Sequence, residues 1–469
     1  MKKDNDLRQR AYDCWIALAP LRHRRERYKA FAYGRQWEDT FTAPDGRVMT
    51  EEEEMRGSGR SPVTNNLIRQ LLKTIVGRYR YLLSCRGDSS DGSDRMGGML
   101  PGHTDCPLME TDARGLEEFL ISGTVFQRID KNGAVRNMSL SRMFFGEFAN
   151  ADGSDCDFIG CLHDFTVGEL MRAFSSGSSS RGMEILSVYG NSGNRMAVRC
   201  PGEPDGEPDY ERCGRAGSFR VVEVWSKEGE TALLLHDTLK GDFGRADWNA
   251  GAMAGIDRLN TSRKKRGLPE ILTTLSCNDV WIQTWLTPDG HVLGRRKLAE
   301  GTHPFVMRMY PYIDGEVHSL VEDVVGQQKY VNRLVTLLDD IIAQSGKGVL
   351  LFPADQLPDG FSWKDLRRLW SNPGGIVPYR RTSRTVTPEQ IHTSGKSEGA
   401  SEMLRLQLKL FDEVAGVSGI LRGQSSGDGA DAMRQELENS TVGMLDLLSA
   451  YREFTLRRDS ILNNLKSIT

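Results

Sequence analysis

Several residue groups in this chain have types and spacings that invite a chemical reading. Ser345-Gly346-Lys347-Gly348 has the ending of a phosphate-binding loop. Such a loop needs GxxxxGK[ST] between a strand and a helix. Here the Gly-Lys pair follows a helical pattern, precedes a strand-like one and has no Ser or Thr after Lys347, so the order is reversed and the reading fails. The acidic pairs Glu322-Asp323 and Asp339-Asp340 could hold Mg²⁺ in a nuclease, but neighbours on a helix point about 100° apart and cannot clamp one ion by themselves. Cys156, Cys161 and His163 are close in sequence, yet they lack the paired knuckles and fourth ligand of a zinc site. No GxSxG, HExxH or deaminase pattern is present. Arg263, Lys264, Lys265 and Arg266 form a basic run that could touch phosphates. With no aromatic interleaved, the run by itself reads as a helix C-terminus with favourable charges. Arg295, Arg296 and Lys297 carry the same ambiguity, and Trp281 and Trp285 put two indoles on one strand face, as a core or interface does. No catalytic, cofactor-binding or metal-binding residue is expected.

The elements that would position these groups follow from composition and pattern. The chain has 469 residues, 38% apolar and 27% charged, with a formal net charge of −3. That suits a soluble protein of two to four domains and gives no overall basic signal for a free nucleic-acid binder. No apolar run approaches the roughly 20 residues of a membrane span, and the N-terminus has no secretory pattern, so a protein made in a cytoplasm is the default. The eight scattered cysteines read as reduced thiols.

Residues 5–32 are helical in pattern, with a stop expected near Tyr33-Gly34. The acidic run Glu51–Glu54 reads as a solvated helix start rather than a metal site. Residues 64–82 form an amphipathic helix, residues 86–106 a Gly/Ser/Asp-rich loop, and residues 116–121 a short helix. Asn132-Gly133 signals a hairpin, strand-rich sequence runs to about residue 235, and Thr166 with Glu169 is spaced as a capping box. A buried strand is expected at 219–226 and a helix at 242–268 with a cationic last turn. Strands around 280–286 and 291–298 are joined through Pro288-Asp289-Gly290. The longest helix covers 319–344, with Leu320, Val324, Val331, Leu334, Val335, Leu338, Ile341 and Ile342 on one face. A strand follows at 348–353, then helices at 401–415 and 429–466 separated by a Gly/Ser loop.

The stretch from His303 to Pro353 places a strand, a turn at Asp314-Gly315 and that long helix in succession, with Gln327, Gln328 and Asn332 on the helix. It closely resembles the core of portal proteins of tailed bacteriophages, of the short-tailed type. The resemblance runs from Tyr33 to about Leu448 as a collinear series. Tyr33, Gly34, Gln36 and Trp37 come first, followed by Asn66, Ile68, Gly77 and Arg78 and the stretch 141–170. Glu223 and Trp225 come next, then His303, Pro304 and Phe305, Asp323 with the helix amides, and Gly416, Gly419, Leu421, Gly423, Ser426 and Gly427. The 86–106 insertion departs from the pattern. The chain stops at Thr469, which leaves no residues for a long C-terminal helical barrel, so a minimal or prophage portal is expected.

The resemblance implies an α+β subunit with a helical wing, a two-helix stem, a strand-rich clip and a C-terminal helical crown. The expected parts are residues 1–115 (helical wing), 116–241 (strand-rich wing), 242–344 (stem helices, with a clip at about 271–318), 345–400 (wing return) and 401–469 (crown-like helices). It implies a ring, usually of twelve subunits, at one capsid vertex of the virion, assembled in the host cytoplasm. Double-stranded DNA would pass through it. The terminase large subunit, head-completion or adaptor proteins, and the major capsid and scaffolding proteins would be its partners, with no membrane and no cofactor. Lys329, Arg333, Gln327, Gln328 and Asn332 are then expected at the channel or a stem interface, and Arg263, Lys264, Lys265 and Arg266 facing DNA. Replacing Lys329 and Arg333 together by Ala is expected to leave folding intact. The alternatives are a metal-dependent phage nuclease using scattered carboxylates and another head–tail connector.

Overall fold

The computed structural model describes residues 2–58, 60–87, 107–175, 177–191, 209–211, 217–298, 302–345, 349–353, 357–371, 378, 380, 389–391, 397–416 and 444–468. Most of the loop at 86–106, Gly346 to Gly348, and the Gly/Ser loop with the first part of the expected 429–466 helix lie outside the described residues. The fold is mixed helix and sheet, as α+β requires. The chain forms two compact units, one from residues 1–29, 72–322 and 444–469, the other from 30–71 and 323–443.

The first unit is built on a six-stranded antiparallel sheet. Its main path runs β10 (Val292–Lys297), β9 (Ile271–Leu286), β7 (Ser218–Asp237), β6 (Phe158–Thr166), β5 (Met143–Phe145), and β8 (Asp242–Asp247) pairs with the far half of β7. Inner β7 is buried on both faces because alternate residues meet different layers. Val222 and Val224 pack with Ala11 and Trp15 of helix α1 (Lys2–Ala17). On the opposite face, Val221 joins Leu170 and Phe174 of α6 (Val167–Phe174) and Ile185 of α7 (Ser179–Asn191). Trp225 meets Phe126, Phe305 and Met307 of a second sheet ordered β11 (Phe305–Met309), β3 (Thr124–Ile129), β4 (Val135–Met138). Helices α5 (Pro107–Ser122) and α12 (Leu445–Ile468) brace that second sheet. Tyr451 Oη donates to Asp112 O at 2.6 Å, and Arg458 pairs with the Asp112 carboxylate.

Glu223 falls between Val221 and Trp225 on the same face, where two apolar layers meet. Its carboxylate is fully buried and makes four contacts. Arg128 and His163 meet Oε2, the latter through Nε2 at 2.7 Å, while Trp225 Nε1 (2.9 Å) and Gln283 Nε2 (2.7 Å) donate to Oε1. Arg128 reaches in from β3, and the other three flank Glu223 in the sheet, since Val221 pairs with His163 and Trp225 with Gln283. Burial pushes the Glu223 carboxyl up, but His163 and Arg128 outweigh it and pull it down to about 2.

Local expectations hold where turn chemistry is explicit. Thr166 and Glu169 form the capping box of α6. Gly133 takes φ +76 in the β3–β4 hairpin, a conformation that a side chain resists. Asp314 and Gly315 both have positive φ across the Ile313–Glu316 bridge, and Pro288 to Gly290 turn β9 into β10. The acidic run opens α3 (Glu51–Gly57) through a Thr50–Glu53 capping box.

Other expectations are corrected. Residues 5–32 are two helices, α1 and α2 (Ala19–Ala32), because Pro20 has no N–H to bond Ile16. The 116–121 helix begins at Pro107, since Pro is tolerated in a first turn. The expected 242–268 helix is strand β8 followed by α8 (Ala250–Lys265), because 242–247 pair with 232–237 and Asn249 then caps the helix at Ala252 N. Strand β9 begins nine residues before Val280, at Ile271. Polar residues such as Thr273, Thr274 and Ser276 are held in it by pairing with β7 rather than by burial.

Glu223→Gln is expected to cost about 3 kcal/mol in denaturant unfolding, because Arg128 loses its counter-charge in a buried site. The stability due to Glu223 is present above the ordinary carboxylate range and is lost as pH falls from about 4.5 to about 2. His303 acts in a different window. Burial, then the charge of Arg457, pushes its imidazole down to about 4 from 6.5. The unfolded chain therefore binds a proton that the folded chain refuses, and stability falls as pH drops from about 6.5 to about 4. Melting temperature followed over that range should fall less steeply for His303→Gln than for the parent chain.

Candidate functional site

The second unit is organised around helix α9 (Leu320–Ser345), whose start is capped by Ser319 Oγ accepting from Glu322 N at 3.0 Å. Its inward face is polar in the middle. Gln328, Asn332 and Thr336, four residues apart, are all buried and all hydrogen-bonded. Gln328 Oε1 accepts from Leu67 N (2.9 Å) and Ile68 N (3.2 Å), and its Nε2 donates to Asn65 O (2.6 Å) and Asn332 Oδ1 (3.0 Å). Leu67 and Ile68 open helix α4 (Leu67–Gly87), so Gln328 satisfies first-turn N–H groups that have no partner within their own helix. Asn332 Oδ1 also accepts from Asn65 N at 3.0 Å, its Nδ2 donates to Gln36 Oε1, and Thr336 Oγ1 accepts from Val63 N at 3.1 Å. Gln36 Nε2 donates to Phe31 O and Trp37 Nε1 to Thr64 Oγ1.

A charged rim surrounds this hub. Lys329 Nζ lies 2.5 Å from Asp39 and 2.9 Å from Glu51, and all three side chains are mostly buried. Arg333 reaches Glu51 at 3.3 Å but keeps its side chain 59% exposed. Gln327 is half-buried. The five residues expected at a channel or stem interface are thus split. Gln328 and Asn332 spend their amides inside the unit, Lys329 is locked in an ion-pair triad, and Arg333 remains on the surface. With Lys329 and Arg333 both replaced by Ala, Asp39 and Glu51 would lose a mostly buried counter-charge, which argues for a cost to folding rather than none. The apolar stripe is corrected. Val324, Val331 and Leu334 are buried, Ile342 is exposed, and the amides complete the buried face. Asp39, Asn65 and Thr336 were not anticipated. The polar stripe at 328, 332 and 336 was the available signal, since a four-residue repeat of amide and hydroxyl groups lies on one helix face.

The basic run ends α8 in the first unit. Arg263 grips Asp237 with two hydrogen bonds, at 2.7 and 2.6 Å, and holds that carboxyl well below the usual carboxylate range. The helix stops in a Schellman arrangement, with Leu268 N donating to Arg263 O, Gly267 N to Lys264 O, and Gly267 at φ +69. Lys264, Lys265 and Arg266 are exposed, with Glu270 3.9 Å from Lys264. Three cations of the four therefore face solvent, and the fourth ties α8 to the end of β7.

Cys156 and Cys161 are buried thiols, Cys156 pushed up to about 11 by burial and Cys161 pushed up further, while His163 is engaged by Glu223. Among the described residues no group of three or more His, Cys, Asp or Glu is arranged to hold a metal ion, and no helix is long and apolar enough to cross a membrane.

Gln328→Leu keeps the volume but removes the partner of Leu67 N, Ile68 N and Asn65 O, of which Ile68 is buried. It should lower unfolding free energy by about 3 kcal/mol or more, while Arg333→Ala should change it by less than about 1 kcal/mol. Denaturant melts of the two variants check the contrast.

The sheet with its far-reaching arm, the long amide-bearing helix and the series of motifs from Glu223 to the last helix all lie within, or largely within, one matched region. A family model described as phage P22-like portal protein matches residues 130–458. None of the curated proteins compared with the chain matches it. The match spans well over half of the sequence; the chain belongs to the P22-like portal protein family of bacteriophages.

Proposed function

We propose that twelve copies of the chain close into a ring at one capsid vertex, that double-stranded DNA passes through its centre during packaging and ejection, and that assembly takes place in the host cytoplasm. The observation that carries this reading is the family match across residues 130–458, which contains both α8 with its basic end and α9 with its amide hub. The partners proposed are the terminase large subunit, head-completion or adaptor proteins, and the major capsid and scaffolding proteins. The role is structural, a closed head-to-tail contact that leaves no free end.

In this reading α8 and α9 are the stem helices. The strands between them, with the outer half of β7 and β8, supply the clip, and the C-terminal helices form the crown. Lys264, Lys265 and Arg266 face DNA, where a few exposed cations slow a polyanion without gripping it. Of the α9 set, Arg333 and Gln327 are the groups left to meet the channel or a neighbouring stem, while Gln328, Asn332 and Lys329 position the helix. The chain's net charge of −3 suits a wall that does not bind DNA tightly.

Native mass and negative-stain images of the purified chain test the ring. Twelve-fold assemblies with a central hole are expected, and a chain that stays monomeric at every concentration and in the presence of scaffolding protein would overturn it. Reversing the charges of Lys264, Lys265 and Arg266 to Glu should leave the ring mass unchanged and change DNA packaging several-fold. Unchanged packaging would remove these residues from the DNA path.

A further inference from the structure

A cavity of about 320 Å³ lies within the second unit, between α3 and α9. Glu51, Glu54 and Met55 line it from α3, and Arg333, Thr336, Leu337 and Asp340 from α9, spaced in both helices as residues of one face. Its deepest members, Trp37 and Thr336, are buried, and their polar atoms are spent inside the unit. Trp37 Nε1 donates to Thr64 Oγ1, while Thr336 Oγ1 accepts from Val63 N and donates to Asn332 O. The half-buried Met55 and the exposed Leu337 add apolar wall.

The charges of the lining are layered, with acids inside and cations outside. The side chains of Glu51 and Asp340 are 18% and 25% exposed, those of Arg333 and Arg60 59% and 61%. Glu51 is held by Lys329 and Arg333. Asp340 has less, since Arg60 Nε stands 3.6 Å away, beyond hydrogen-bond reach. Glu54 makes no ion pair among the described residues. Three carboxylates thus line the cavity against two guanidinium groups, and two of the three have acceptor capacity to spare. An anion would be repelled by them, and a neutral apolar group would cover them unpaired at a cost. A cation on an apolar stem satisfies both the acids and the wall. A guanidinium suits the place better than an ammonium, because it is more weakly hydrated and its planar fork donates to two carboxylates at once.

We propose that the cavity receives an arginine side chain from an extended segment of a partner protein, the guanidinium donating to Asp340 and Glu54 and the methylene stem lying along Met55 and Leu337. One cation among partly exposed acids holds only weakly. The segment therefore also covers the exposed Leu337, which favours a polypeptide over a free small guanidine. The site goes beyond the ring reading, and its test does not depend on ring formation.

The test is isothermal titration of the full chain with a short capped peptide that carries one central arginine flanked by leucines. The same peptide with citrulline, which keeps the shape and loses the charge, and with glutamate are the controls. The arginine peptide should bind about ten-fold more tightly than the citrulline peptide, and Asp340→Asn should weaken it about ten-fold. Glu54→Gln should weaken it several-fold, and because Glu54 is exposed this variant keeps its fold if Asp340→Asn does not. Arg60→Ala, which releases Asp340 from its one loose partner, should tighten it. Equal binding of the arginine and citrulline peptides, tighter binding of the glutamate peptide, variants that bind as the parent does, or a parent chain that binds none of the three would overturn the proposal.

Discussion

Strands β7 and β9 are hydrogen-bonded from Val222↔Leu286 to Asp237↔Ile271, and the rest of the first unit depends on that ladder. Over its inner half the pairing sits between helices and a second sheet, where burial of Val221, Val222, Val224 and Trp225 supplies the driving force. Over its outer half few side chains are buried, and the strands stay paired because they continue a ladder already registered further in. Register is therefore set where one-residue slips would bury charge, and is merely inherited where they would not. β8 and α8 are mounted on this inherited segment, so the placement of the basic helix end traces back to inner β7.

The two units solve the same problem in different ways. Each buries polar groups that water can no longer reach, and each gathers a cluster of them into mutual hydrogen bonds. In the first, one carboxylate collects donors from β3, β6, β7 and β9, so four strands converge on Glu223. In the second, the amides of Gln328 and Asn332 serve as surrogate backbone, giving 63–68 the partners that a strand or cap would otherwise provide. A well-satisfied polar network of either kind favours one arrangement over nearby alternatives, as a part in a repetitive assembly requires.

Much of this was legible in the sequence where local chemistry decides. The capping box at Thr166, the hairpin at Asn132-Gly133, the turn at Asp314-Gly315 and the helix at 320–345 all rest on residues a few positions apart. The family resemblance was legible as well, because it lies in the order of motifs. What was not legible depends on distant partners. Glu223 was read only as part of a motif, and nothing near it in sequence foretells Arg128 from another sheet. Gln328 and Asn332 were expected at a channel or stem interface from the family resemblance, and only the segment 63–68 that folds against them makes them interior. Residues 242–247 read as helix because their strand character comes entirely from pairing with β7.

The capping of α4 by Gln328 has a consequence for the order of events during synthesis. The first turn of α4 is made some 260 residues before the side chain that completes it. At translation rates of about 5–20 residues per second, the segment 63–68 waits on the order of ten seconds or more with open N–H groups. The second unit, assembled from residues 30–71 and 323–443, cannot close until α9 has left the ribosome. A chain still being made therefore lacks a finished copy of that unit, which separates the time of synthesis from the time at which subunits become competent to meet one another.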